Sequence, residues 1–385
     1  MQLDSSNALR VIADANIWGI QHAFSTFNKN NVQLEVLEQH EITANRIKNA
    51  DILLVRSSTT INQSLLAGSP VRFVGTATIG DDHVDQTYLH GHHITFSSAA
   101  GSSTESVVEY MLASFYALEQ QKAISFSTDK LGIIGVGRIG SLLQTACKNI
   151  GFETLLNDPP KQRQKPTKSF HELSYLLKHA DILTLHTPLC QDGEFPTQHL
   201  LGKKELQQFQ GKGIINAGRG ACLDNSALLD WLNADTSRFA ALDCWENEPH
   251  INLTLLNHPQ VLIASPHIAG HSLDGKAANT LFIFRDLCDF LQVDMTWDIE
   301  DNLPNITQNF ITTPVDNQTL AQQLYPIIQD HQAMKKAGEG ESQSKDKAAI
   351  NFSSWFKNYR RHYPIRRSWK KTLAAQKNMD IGRFF

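Results

Sequence analysis

The ten residues LGIIGVGRIG at positions 131–140 decide how this chain is read. An apolar run leads into Gly135, and Gly135, Gly137 and Gly140 then fall in the spacing G-x-G-x-x-G where a helix-forming stretch begins. Strand, glycine turn and helix N-terminus in that order form a dinucleotide fingerprint. The first glycine makes the tight turn, the second lets the backbone approach a pyrophosphate, and the third permits close helix packing. The free N–H groups of the helix start then face the phosphates. Asp158 follows the next apolar run, at 153–157, where a carboxylate accepts from a ribose diol and repels a 2′-phosphate. NAD is therefore expected rather than NADP, although Lys161 and Arg163 just beyond would tolerate a phosphate.

Working outward from the turn, short apolar runs recur at 182–185, 213–216, 239–242 and 261–264, which with 131–135 and 153–157 predict six strands of a doubly wound parallel sheet. Upstream, runs at 9–13, 51–55 and 71–74, with a further strand at 94–96, predict a smaller parallel sheet with crossover helices. Between the two, Val107, Val108, Met111, Leu112, Phe115 and Leu118 fall at helical spacing behind a Ser103 or Thr104 cap. After Pro266, Ala277, Leu281, Phe284, Leu287, Cys288 and Leu291 repeat that spacing and can carry the chain back to the first sheet. The expected architecture is thus α/β, with two Rossmann-like doubly wound domains and a cleft between them. Residues 1–100 and 268–290 would form a discontinuous substrate domain and 101–267 the NAD domain. Residues 291–385 would form a smaller α+β dimerisation segment, made flexible near 337–348 by the stretch AGEGESQSKDKA.

Composition narrows the function classes. With 385 residues, 41% hydrophobic and 19% charged, the chain reads as globular, and a net charge of -4 argues against a general nucleic-acid binder. No apolar run approaches the roughly 18 residues needed to cross a bilayer. The N-terminal MQLDSSNALR lacks the pattern of a signal peptide, so a cytoplasmic location is expected. Cys147, Cys190, Cys222, Cys244 and Cys288 are scattered and never form C-x-x-C, which predicts reduced thiols and no zinc site.

Three polar patterns close successive strands of the larger sheet, where open α/β folds place their ligands: NAGRG at 216–220, DCWENEP at 243–249 and SPHIAG at 265–270. Singly, each has a bland explanation as a cap, a turn or a structural histidine. In their order and spacing they resemble the matching motifs of the D-2-hydroxyacid dehydrogenases, over about the first 290 residues. Within that family the stretches LLVRSSTTIN at 53–62, VGTATIGDDHVD at 74–85, LLNDPP at 155–160, ILTLHTPL at 182–189 and PHIAGHSLDGKA at 266–277 are most similar to one subfamily. The resemblance implies NAD-dependent oxidation of 4-phospho-D-erythronate in pyridoxal phosphate (vitamin B6) biosynthesis, by a homodimer paired through the added C-terminal segment. It implies His267 as the base, Glu248 as the carboxylate orienting its ring, and Arg219 as the cation for the substrate carboxylate. By the same carry-over Arg138, Ile139, Thr187, Ala217, Gly218, Arg219, Asp243 and Gly270 would line the cofactor, and Ser57, Thr78 and His271 would touch substrate. Two departures stand out. The chain reads Ala100-Gly101-Ser102-Ser103 where the family usually has Pro-Gly-Cys-Asn, and His271 replaces a usual tyrosine.

Other readings stay open at this point. HGHH at 90–93 offers imidazoles but no partner ligands at recognisable spacing, so no metal is expected. The tract 357–371 carries seven basic residues and no acidic ones, interleaved with Tyr359, Tyr363 and Trp369. It reads mainly as an assembly element whose arginines face a partner subunit or a substrate phosphate, with no nucleic acid or membrane as partner. A 3-phosphoglycerate or hydroxypyruvate dehydrogenase is the alternative within the enzyme class, and an NAD(H)-sensing interaction protein the alternative outside it.

Overall fold

The computed structural model describes residues 8–25, 27, 32–166, 169–306, 316–339, 345–363, 366–375 and 384. The chain forms two compact units, Met1–Ser103 with Ser272–Ile306, and Thr104–His271 with Thr307–Phe385.

The first unit is built on β1 (Leu9–Asp14), β2 (Val32–Leu37), β3 (Ile52–Val55), β4 (Phe73–Thr76) and β5 (Thr95–Ser98), all parallel in the order β2-β1-β3-β4-β5. β2 was not anticipated from sequence, because VQLEVL alternates apolar with polar side chains and lies at the sheet edge with one side half exposed. The helix Leu273–Leu291 starts where Ser272 Oγ accepts from the Gly275 amide at 2.9 Å. It adds Ile283, Leu287 and Leu291 to the core of Leu9, Val11, Ile52 and Phe73.

The second unit carries β6 (Lys130–Ile134), β7 (Glu153–Asn157), β8 (Ile182–Leu185), β9 (Gly213–Asn216), β10 (Phe239–Leu242) and β11 (Val261–Ala264), parallel in the order β11-β10-β9-β8-β6-β7. Chain order reverses between β6 and β8, so the crevice where open α/β sheets bind ligands opens beside the glycine turn that follows β6. Alternate strand residues feed two cores. Leu131, Ile133, Ile215, Ala241 and Ile263 join the one on one face, and Ile134, Ile214, Ala240 and Leu242 join the one on the other. The helix Thr104–Gln120 is buried around its whole circumference from Ser106 to Leu118, more than a single apolar face predicts. Its second neighbour explains this.

That neighbour is the C-terminal segment. Where an α+β segment separate from both sheets was expected, the described residues contain four helices and no strand, Asn317–Leu324, Ile327–Gly338, Lys345–Arg361 and Trp369–Ala374, and they belong to the second unit. Leu320, Leu324, Tyr325, Trp369 and Leu373 share a core with Val107, Tyr110, Met111 and Tyr116 of the long helix. The stretch read as a linker is partly helical at both ends, through Gly338 and again from Lys345, while 340–344 lie outside the described residues.

Candidate active site

At the glycine turn, β6 ends and the helix Arg138–Asn149 begins at Gly137, which offers no side-chain cap to the first N–H groups. A Cβ on Gly137 would meet nothing within 4 Å, so this backbone faces open space. The other two glycines are needed for packing. Gly135 has φ +87° and a Cβ there would lie 2.8 Å from the His186 carbonyl carbon, while one on Gly140 would lie 2.2 Å from the Gly135 oxygen. An open second glycine between two crowded ones, at an uncapped helix start, is the cradle a dinucleotide pyrophosphate fills. Arg138 is exposed and Ile139 packs its side chain on the sheet core. Asp158 accepts from the Val136 amide at 2.9 Å and from the Lys161 amide at 3.0 Å, so it caps the helix Pro159–Gln164 and ties it to the glycine turn. Lys161 folds back onto the Val136 carbonyl and Arg163 pairs with Glu194, so both cations that would have welcomed a 2′-phosphate have protein partners.

The remaining expected cofactor residues stand at the C-terminal ends of the same strands. Thr187 follows β8, where its hydroxyl donates to Cys222 Sγ at 3.4 Å. Ala217, Gly218 and Arg219 follow β9 in a turn held by Asn216, whose Oδ1 accepts from the Gly218 amide at 3.1 Å and whose Nδ2 donates to the Arg219 carbonyl at 3.0 Å. Gly220 lets this turn lie against the next loop, since a Cβ there would come within 1.8 Å of the Trp245 oxygen. Arg219 donates to the Gly218 carbonyl at 3.0 Å, an oxygen that Cys244 Sγ also approaches at 3.3 Å. Gly270 lies half-buried just after the loop that carries His267.

Glu248 and His267 meet directly, with His267 Nδ1 2.8 Å from Glu248 Oε2. The other carboxylate oxygen accepts from the Trp245 amide at 2.7 Å. Burial alone would raise the Glu248 carboxyl, but the charge and hydrogen bond of His267, the Arg360 guanidinium and the Trp245 amide together hold it below the usual range. Glu248 is thus an ionised acceptor that fixes the imidazole with Nε2 turned away from it. His267 itself has φ +56°. That left-handed backbone is enforced by Asp243, whose carbonyl accepts from the His267 amide at 2.8 Å and whose carboxylate accepts from Ile268 at 2.7 Å, Ala269 at 3.0 Å and Ser265 Oγ at 2.7 Å. Burial raises the Asp243 carboxyl despite those bonds and the His267 charge. Tyr110 of the long helix extends the chain of bonds, its hydroxyl 2.7 Å from Ser265 Oγ. Neither Ser265 nor Tyr110 was singled out from sequence, because a hydroxyl 22 or more residues from its partner has no local pattern.

Cys244, Glu248 and His267 are the one group among the described residues that brings three potential metal-ligand atoms together, within 4.8 Å of one another. Burial pushes the Cys244 thiol far above its ordinary value, so it stays protonated, and the Glu248–His267 hydrogen bond is that of an acid–base pair rather than a ligand set. The HGHH histidines form a helix end and turn, with His92 Nδ1 2.9 Å from the Tyr88 carbonyl and its ring stacked on Tyr88.

Of the expected substrate residues, His271 closes the loop that carries His267, its amide donating to the Ile268 carbonyl at 2.8 Å and its ring 6.1 Å from that of Tyr363. Ser57 and Thr78 belong to the first unit. Ser57 is exposed after β3, and Thr78 after β4 bonds to Thr76 Oγ1 at 2.8 Å and to the Gly80 carbonyl at 2.9 Å.

Comparison with known proteins gives the family and the fold. Residues 105–269 match the family model described as D-isomer specific 2-hydroxyacid dehydrogenase, NAD binding domain. An erythronate-4-phosphate dehydrogenase of Proteus mirabilis (strain HI4320) is 35% identical over 376 residues, covering 96% of each chain. One from Escherichia coli O127:H6 (strain E2348/69 / EPEC) is 36% identical over 367 residues, 94% of this chain and 92% of that one. Among solved structures, a D-lactate dehydrogenase of Aquifex aeolicus complexed with NAD and lactic acid aligns with a TM-score of 0.60 at 20% identity, over 73% of this chain and 95% of that one. An NAD-bound 3-phosphoglycerate dehydrogenase of Entamoeba histolytica aligns with a TM-score of 0.62 at 18% identity, over 74% and 96%. These two likenesses are of fold.

Proposed function

The chain belongs to the D-isomer specific 2-hydroxyacid dehydrogenase family, and we propose that its reaction is the NAD-dependent oxidation of 4-phospho-D-erythronate to 3-hydroxy-2-oxo-4-phosphooxybutanoate. It is an NAD-dependent oxidoreductase acting on the CH–OH of a 2-hydroxy acid. The observation that carries the reading is the Glu248–His267 pair, 2.8 Å apart beside the NAGRG turn, in a chain alike over its length to enzymes named for that substrate.

Bound NAD supplies the acceptor for the hydride that leaves C2. The protein's own groups do the rest. With Nδ1 committed to Glu248, His267 takes the hydroxyl proton on Nε2 as the C2–O bond becomes a carbonyl, and returns it in the reverse direction. Glu248, ionised and held by the Trp245 amide, stabilises the imidazolium as it forms. Arg219 offers a planar fork for the substrate carboxylate, which fixes C2 relative to the base. Gly135, Gly137, Arg138, Ile139, Gly140, Asp158, Thr187, Ala217, Gly218, Asp243 and Gly270 are the proposed cofactor contacts, and Ser57, Thr78 and His271 the proposed substrate contacts. We place the activity in pyridoxal phosphate biosynthesis, in the cytoplasm, with the protein a homodimer. The described helices include none long and apolar enough to cross a membrane.

The test is a panel of 4-phosphoerythronate, 3-phosphoglycerate, hydroxypyruvate and unphosphorylated glycerate, followed at the nicotinamide absorbance band. The highest kcat/KM is expected for 4-phosphoerythronate. A preference for 3-phosphoglycerate or hydroxypyruvate would overturn the substrate, and NADH binding with negligible turnover of all four would overturn the enzyme in favour of a nucleotide sensor.

A further inference from the structure

Ser265, two residues before His267 and fully buried, is gripped from three directions. Its Oγ donates to Asp243 Oδ1 at 2.7 Å, the same oxygen that accepts the Ile268 amide at 2.7 Å. Its carbonyl accepts from the Trp245 indole at 2.9 Å, and the Trp245 amide in turn holds Glu248 at 2.7 Å. Ser265 is thus tied both to the carboxylate that gathers the backbone after His267 and to the residue that fixes Glu248. The third grip is Tyr110, whose hydroxyl lies 2.7 Å from Ser265 Oγ. A serine has one proton to give, and Ser265 gives it to Asp243, so Tyr110 is the donor in this contact. Burial, followed by the charge of Asp243, raises Tyr110 far above its ordinary value, so the phenol keeps the proton that the bond needs.

Tyr110 is itself held rigidly. It lies in the helix Thr104–Gln120 and is 1% exposed. Its ring meets that of Tyr325 edge-on, with centroids 5.9 Å apart, and the Arg366 guanidinium covers Tyr325 at 4.1 Å. A phenylalanine would fill the same core without bringing a hydroxyl out of water, so core packing alone does not account for the phenol. The hydroxyl instead carries the rigidity of the long helix to a loop whose histidine stands at φ +56° and needs such anchors. We propose that Tyr110 is a positioning residue for the oxidation, its hydroxyl acting through Ser265 and Asp243 to hold the loop that aims His267 at the substrate hydroxyl. This rests on the reading of His267 as the base.

The test compares the full-length wild type with Tyr110→Phe, Ser265→Ala, the double variant, His267→Ala and Leu373→Ala. Leu373 shares the core of Tyr110 but is apolar and has no part in the chain of hydrogen bonds. For each, Tm, KM, the Kd for NADH and the single-turnover rate of NADH formation with the best acid of the panel are measured. Tyr110→Phe is expected to slow single turnover on the order of 10-fold, because slight misplacement of a reacting group is costly. Its KM and its Kd for NADH should stay within about twofold of wild type. Ser265→Ala should slow turnover at least as much, and the double variant no further than Ser265→Ala, since Tyr110 acts through that serine. Leu373→Ala should lower Tm and leave the rate unchanged. A wild-type rate in Tyr110→Phe, a double variant slowed by the product of the single effects, or an equal slowing in Leu373→Ala overturns the positioning role alone, provided His267→Ala is inactive. A chain that turns over no acid of the panel, or a His267→Ala variant that keeps the wild-type rate, overturns the base and this proposal together.

Discussion

The imidazole proposed as the base is held in a conformation that side chains seldom adopt. His267 sits at φ +56°, and Asn247, immediately before Glu248, at +61°. A left-handed non-glycine residue costs on the order of 1–3 kcal/mol and persists only where its surroundings over-determine it. Here the Asp243 carboxylate gathers Ser265, Ile268 and Ala269 around the histidine. Replacing His267 by Ala should lower kcat by roughly 10²–10⁴-fold while NADH still binds, because the nucleotide cradle is built on β6 and its helix. Single-turnover absorbance with a separate NADH titration checks this, and near-wild-type oxidation would remove His267 as the base. The reactive residue types were legible in NAGRG, DCWENEP and SPHIAG, and the family resemblance tied them together. Their supports were not. The Trp245 amide that holds Glu248 has no side-chain signature, and Ser265 joins Tyr110 across 155 residues.

At the scale of elements, strands were read from short apolar runs because a strand with both faces buried is mostly apolar, as in β8, β9 and β10, which are buried at every position. β2 escaped the same reading as a half-exposed edge strand. The helix Ile327–Gly338 illustrates a contact that no periodicity encodes. His331 Nδ1 accepts from the Ala264 amide at 3.1 Å, so the helix docks on the end of β11 through a neutral imidazole. Burial, with Lys335 nearby, pushes this histidine down to about 4. The unfolded chain takes up that proton near pH 6.5. Its contribution to stability is therefore complete above pH 6.5 and is lost as pH falls toward 4. Buried His186, also pushed down to about 4, acts in the same window. His331→Gln keeps an acceptor without the proton, so the fall of Tm between pH 6.5 and 4.5 should be shallower in that variant than in wild type. An unchanged slope would show that His331 is not buried as a neutral group.

For the whole molecule, the C-terminal segment is part of the nucleotide unit's interior rather than an added body. Arg366 pairs with Glu109 in the middle of the long helix, lies 4.1 Å over the Tyr325 ring, and has a side chain only 9% exposed. The Trp369 amide donates to the same carboxylate at 2.7 Å. Burial pushes the Glu109 carboxyl up to about 7 against the pull of Arg366 and that amide. Removing Arg366 as Arg366→Met strands a buried carboxylate, at a cost of about 3–5 kcal/mol, or a Tm drop on the order of 10 °C. Without the cation the folded state holds the Glu109 proton more tightly still, so the deficit should grow as pH rises from 5.5 to 8. Thermal melts at both pH values test this, and a deficit that shrinks at pH 8 would contradict the buried pair. By itself the sequence determined two parallel sheets and a dinucleotide turn, and it singled out Arg219, Glu248 and His267 as candidates, since these follow from periodicity and from motifs a few residues long. Tertiary structure alone decided that a basic tract read as an assembly element buries Arg366 against Glu109, 257 residues away. Charge along the chain is local information, but whether a cation faces water or a buried carboxylate depends on which distant helix closes over it.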